Sequence, residues 1–209
     1  MGGWATLTFV AALAAALSWV ARTRGVDTGF VAAALTVAAV AFAVVAYRDH
    51  ALQGRLAAAG AEVADTAISV QCPDPFIGEF LWTPGEGHVR FDADGNPDGV
   101  ARLDGWVCSE LARWPRNHSE ERARVSVHIL THEVAHLRGE KNEAAAECWA
   151  AQHSAVVGEA LGAPREHAVA AQAWYIENQL PRMRGEYSDT QRCRAGGEWD
   201  AGTGAFDSP

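Results

Sequence analysis

The stretch His132-Glu133-Val134-Ala135-His136-Leu137-Arg138-Gly139-Glu140-Lys141-Asn142-Glu143-Ala144-Ala145-Ala146-Glu147 decides how this chain is read. It opens on H-E-x-x-H. On a helix, histidines at i and i+4 stand one turn apart on one face and can bind the same ion, with the glutamate as base on a water at that ion. A catalytic zinc takes three protein ligands and leaves one position open. Two histidines are therefore not enough, and the third ligand has to come from elsewhere in the chain.

The residues around the motif predict an amphipathic helix. Ser119 is placed to cap it, Glu120 and Glu121 suit its positive end, and Gly139 follows its last turn. Counting about 100° per residue from Val127, the residues Leu130, Val134 and Leu137 join it in one apolar stripe. His132 and His136 fall on the opposite side, with Glu133 at the margin of their face. His128 extends the histidine face, but two turns from His136 is too far to share an ion, so it is expected beside the site or at the surface.

After Gly139, Asn142-Glu143-Ala144-Ala145-Ala146-Glu147 resembles the N-E-A-x-x-D motif of the gluzincins, the thermolysin-like zinc metallopeptidases. The resemblance covers residues 132–147. It implies a Zn2+ held by His132, His136 and Glu143, with Glu133 as general base for a zinc-activated water that hydrolyses a peptide bond. Glu147 takes the place of the family Asp that orients a zinc-bound histidine. Glu143 and Glu147 also share a helix face, as such a pair of roles requires.

Two departures are evident. Glu147 is one methylene longer than Asp, and only six residues separate His136 from Glu143, far fewer than in thermolysin relatives. A tight turn at Gly139 would fold a helix over 142–162 back on the motif helix; Glu147 stays open as the third ligand instead of Glu143. The gluzincins add a His or Tyr that steadies the oxyanion. Tyr187, His167, Tyr175 and His153 are candidates, and Tyr187, in an irregular Gly- and Asp-containing tail, is preferred. The metzincin motif H-E-x-x-H-x-x-G-x-x-H is matched only through Gly139. It places Asn142, a poor zinc ligand, where a third His belongs, and Met183 with Tyr187 only faintly resembles its Met turn.

The N-terminus is a different material. Trp4–Ala21 and Thr28–Tyr47 carry no charge, and each approaches the length of about 20 residues that crosses a bilayer. With the polar turn Arg22–Asp27 between them they predict a transmembrane hairpin over residues 1–50, spans about 4–21 and 28–47. Trp4 and Tyr47 would lie at the same interface. Arginines flank both sides, so the positive-inside rule is nearly balanced. All four cysteines (Cys72, Cys108, Cys148, Cys193) follow these spans, and none forms a C-x-x-C pair. Four cysteines in an exported body predict two disulfides, with three possible pairings. Cys193 could pin the tail to the helix bearing Cys148. The body is thus expected outside the cytoplasm, on a two-pass anchor.

Residues 51–70 read as a juxtamembrane stalk and 71–209 as the metallopeptidase-like domain. Within it, 88–91 and 100–103 flank a Gly/Asn/Asp/Pro turn and predict a β-hairpin. A calcium-loop reading of that turn fails, because Pro97 and Leu103 occupy the required Gly and acidic positions. Gluzincins align peptide substrate along a strand edge, and this hairpin is the available one. Asp104 is expected to cap a short helix that Pro115 stops. The expected fold is α+β and mainly helical, with a β-hairpin and an active-site helix packed on a glutamate-bearing helix.

The formal net charge is −9, and the first 50 residues hold three Arg and two Asp, so the body carries the acidic excess. That argues against nucleic acid as a partner. Peptide or protein substrate and a lipid bilayer are the expected partners. A zinc-binding membrane protein without peptidase activity is the alternative, and an accidental motif in a small membrane interaction protein is a third class.

Overall fold

An Ala-rich run with neither Gly nor Pro between Gly29 and Gly54 favours helix, and α1 spans Thr28–Ala64 in the computed structural model. The structure describes residues 15–17, 19–20, 22–25, 28–73, 86–187 and 189–206. It divides into two compact units, Met1–Ala51 and Leu52–Pro209. In the first, α1 supplies one stretch long and apolar enough to cross a membrane, with none of it buried. Most of the first expected span, 4–21, lies outside the described residues. Among the described residues there is thus one such helix.

In the second unit the end of α1 turns inward. Leu56, Ala59, Val63 and Ala64 are buried at helical spacing and belong to the main core. Residues 51–70, expected as a stalk, thus supply part of that core, Val70 included. Gly60 permits the approach: a Cβ there would meet Val134 Cγ2 at 2.9 Å.

The sheet is small. β1 (Ser69–Gln71), β2 (Gly87–His88) and β3 (Val100–Leu103) lie in the order β1-β3-β2. β3 pairs antiparallel with β2 (Gly87 opposite Leu103) and parallel with β1 (Val70 opposite Ala101). Ala101 and Leu103 face the core in alternation. The hairpin is present but its first strand is shorter than 88–91. Pro97 has no N–H, and beyond His88 the ladder shrinks to one bridge between Phe91 and Pro97. β1 is an addition the hairpin reading lacked. A disulfide ties Cys72, just after β1, to Cys108 on the next helix.

Helices α2 (Gly105–Asn117), α3 (Glu121–Leu137), α4 (Glu143–Ala160) and α5 (Arg165–Asn178) follow. Asp104 caps α2, its carboxylate accepting from Trp106 N. Pro115 does not stop α2, which runs on to Asn117, because a proline in the last turn forfeits only one intrahelical bond. Ser119 does not cap α3. Glu120 occupies the cap position without a side-chain bond, since the tight turn Glu120 N to Asn117 O moves the start onward.

α3 is the spine of the unit and packs against α2, α4, α5, β2 and β3. Its buried hydroxyls are satisfied within the helix: Ser126 and Thr131 donate to Arg122 O and Val127 O, both at 2.8 Å. The tail after α5 winds through short 3-10 turns, including Gly185–Tyr187 and Thr190–Cys193. The Cys148–Cys193 disulfide and Gln152 fasten it to α4, the Gln152 amide bonding Trp199 O and Ala201 N. Each disulfide closes a loop long enough to contribute about 4 kcal/mol by restricting the unfolded chain.

Candidate metal centre

The apolar stripe of α3 (Val127, Leu130, Val134, Leu137) packs into the main core. The histidine face is buried too, under α4, rather than open to water. What brings α4 there is the short link after Leu137. Gly139, at φ +97°, makes a Schellman turn: its N–H bonds His136 O and that of Glu140 bonds Ala135 O. Asn142 then caps α4, its side chain accepting from Ala145 N at 3.0 Å. The reversal places Glu143 in the first turn of α4, beside the end of α3. Asn142, the metzincin alternative's ligand position, is spent on this cap.

His132, His136 and Glu143 are brought together. His132 Nε2 lies 3.0 Å from His136 Nε2 and 3.1 Å from Glu143 Oε2, and His136 Nε2 lies 3.3 Å from the same oxygen. The outer nitrogens are both engaged. His136 Nδ1 faces Glu140 O at 2.7 Å, and His132 Nδ1 faces Glu147 Oε2 at 3.2 Å. With both Nδ1 atoms donating, neutral rings would turn both Nε2 lone pairs toward Glu143. A tetrahedral ion with bonds of about 2.0–2.1 Å spaces its ligands roughly 3.3 Å apart, so the donors fit one. This buried His/His/Glu group could hold a metal ion.

The charges follow the contacts. Burial alone pulls His132 down, but hydrogen bonds to Glu143 and Glu147 and nearby carboxylates push it up to about 9. The His132 hydrogen bond holds Glu143 below its ordinary range. Burial raises Glu147, yet the adjoining His128, 3.0 Å away, and the hydrogen bond from His132 outweigh it and hold its carboxyl low. Burial pushes Glu133 up to about 7, with His132 opposing and Glu143 reinforcing. Glu133 is 4% exposed, and its Oε2 is buried without a hydrogen-bond partner.

A cleft of about 130 Å³ opens onto this group, lined by His132, Glu133, His136 and Glu143 with Gly87–Val89, Phe91, Lys141 and Tyr187. Strand β2 forms one wall. Gly87 backs directly onto Glu133, since a Cβ there would meet Oε1 at 2.6 Å. Tyr187 sits with its ring 6.0 Å from that of His132, and burial followed by the Glu143 charge pushes its phenol up to about 12. The other oxyanion candidates lie elsewhere: His167 stacks on His118, His153 on Trp149, and Tyr175 is buried against Glu147. Met183 packs against the small cluster of Ala151, Tyr175 and Leu180.

Of the two places expected for His128, beside the site or at the surface, it takes the first, buried against Glu147; the roles of Gly87 and the Glu140 carbonyl had no signal in the sequence. No family model, curated protein or solved structure matches the chain.

Proposed function

We propose that the chain is a membrane-anchored zinc-dependent metallopeptidase. One observation carries the reading: two Nε2 atoms and Glu143 Oε2 converge at 3.0–3.3 Å at the floor of an open cleft, which Glu133 also lines with its Oε2 buried and without a hydrogen-bond partner. His132, His136 and Glu143 would hold zinc, and Glu147 would keep His132 in the tautomer that offers Nε2. Bound zinc would supply Lewis acidity to a water and to a peptide carbonyl. Glu133, buried at the cleft beside these ligands, would take a proton from the attacking water and give it to the leaving amine. Tyr187, its phenol protonated at neutral pH, donates a hydrogen bond to the oxygen that gains charge. β2 lies along the cleft, where a substrate strand could be aligned.

The apolar stretch of α1 supports attachment to a lipid bilayer, and the two disulfides support a body outside the cytoplasm. With a first span over 4–21 the anchor would be two-pass. The test is peptide cleavage by the full chain in detergent, with wild type, Glu133→Ala and a chelator. The reading expects activity lost with the chelator, restored by zinc, and absent in Glu133→Ala. Zinc binding without cleavage of any peptide would instead favour a regulatory or scaffolding zinc protein.

A further inference from the structure

Glu147 is the centre of a second buried cluster, none of whose members except His132 lines the cleft. Its Oε2 accepts from His132 Nδ1 at 3.2 Å, and its Oε1 accepts from the Tyr175 hydroxyl at 2.8 Å. His128 Nε2 lies 3.0 Å from Oε1 but out of line for a hydrogen bond, and neither ring nitrogen of His128 has a hydrogen-bond partner. The His128 ring stacks on that of Tyr175, with centroids 3.6 Å apart and planes at 11°. All three residues are 3% exposed or less. The directed donor on Oε1 is therefore the Tyr175 phenol, and the stack fixes where that phenol points.

We propose that Tyr175 is a positioning residue: its hydrogen bond locks the Glu147 carboxylate, which in turn holds His132 with Nε2 facing His136 and Glu143. This role rests on the metal-centre reading. With the phenol hydroxyl gone, Oε1 would face only the misaligned His128. The carboxylate could then rotate, and the His132 ring would lose its fixed orientation. Groups that orient metal-bound histidines in this way typically change metal affinity about 10–100-fold when removed. The ligand atoms of His128, His132 and Glu147 also lie within 4.8 Å of one another, the spacing a second ion would need. That arrangement would require His132 to bridge two ions, so the cluster is assigned to bracing and the chain to one ion.

The experiment measures zinc affinity by chelator competition on the full chain in detergent, for wild type, Tyr175→Phe, Glu147→Gln and the double variant. Thermal stability without metal is recorded beside it, as is the 15N-detected tautomer of metal-free His132 at a pH where its ring is neutral. The expected result is about a tenfold loss of affinity in Tyr175→Phe. The double variant should lose no more than Glu147→Gln alone, and the Nδ1–H form of His132 should be depleted in Tyr175→Phe. Unchanged affinity and tautomer in Tyr175→Phe, whatever happens to its stability, would overturn the positioning role alone. Independent, additive losses would overturn it as well. Two ions per wild-type chain, the second lost in His128→Ala, would replace bracing with a second metal site. No ion on the wild type would remove the metal centre itself, and this role with it.

Discussion

His132 Nε2 stands 3.0 Å from His136 Nε2 while the Nδ1 atoms of both rings are engaged by Glu147 and Glu140. Two lone pairs at that distance repel unless a proton or a metal ion lies between them. Without metal, the bonds and charges around His132 hold a proton on it up to about pH 9. An ion must displace that proton. Zinc affinity should therefore weaken about tenfold for each unit that pH falls below 9. Chelator competition between pH 6.5 and 8.5 measures the slope, and a flat profile would show that no proton is displaced. The linkage sign for the metal-free chain is the reverse. A histidine raised in the folded state contributes stability fully below its unfolded value of 6.5, and that contribution is lost as pH rises through about 9.

Glu133 gives a prediction of opposite tendency in stability and activity. Burial raises its carboxyl to about 7, so its ionised form costs the folded state stability as pH rises from 4.5, fully so above 7. Replacing it with Gln removes that charge. Glu133→Gln should leave the metal-free chain as stable as wild type or more so at pH 8, by up to about 3 kcal/mol. It should still bind zinc, and should lose activity by about 10²–10⁴-fold. Denaturant unfolding and peptide cleavage on the same preparation check both halves. A variant with full activity would remove Glu133 from the chemistry.

Gly87 tests the same carboxylate from the strand side. An added methyl would sit 2.6 Å from Glu133 Oε1, so the carboxylate must shift. Gly87→Ala should lower kcat at least tenfold, since small displacements of a catalytic group are costly. Zinc affinity should stay within about twofold, because the atoms nearest the new methyl all belong to Glu133. Parallel loss of zinc and activity would place Gly87 in the general support of the fold instead.

The Schellman turn carries both stability and site geometry. Gly139→Ala forces a Cβ into φ +97°, at a cost of about 1–2 kcal/mol. Any opening of the turn also moves the Glu140 carbonyl away from His136 Nδ1. Both the melting temperature and the zinc affinity should fall, whereas Gly99→Ala, also at positive φ but away from the cleft, should lower the melting temperature alone.

Legibility in the sequence followed the range of the interactions involved. The α3 stripe, the Asp104 cap and the turn at Gly139 depend on neighbours within a few residues, so spacing and residue type were enough to read them. The approach of Glu143 and Glu147 to the histidine face was readable because one tight turn and one helix period determine it, whereas their meeting on His132 was not. The burial of Leu56, Ala59, Val63 and Ala64 was not readable, because an Ala-rich helix looks alike in lipid, in water and in a core. β1 went unread because three residues gain their meaning only from pairing with β3. Tyr175 was read only as an oxyanion candidate; it lies in an ordinary i, i+3, i+7 stripe with Ala168 and Ala171, where its hydroxyl gives no local sign of its partner Glu147. Gly87 depends wholly on a contact made across the fold.

The central claim is that His132, His136 and Glu143 hold one catalytic zinc. Its most direct test is the metal-to-protein ratio of the full chain, purified in detergent without added metal, beside Glu143→Ala. The account predicts one zinc per chain in wild type and a sharp loss in Glu143→Ala. A wild-type chain with no metal near stoichiometry, or a Glu143→Ala chain that keeps its full zinc, would contradict it.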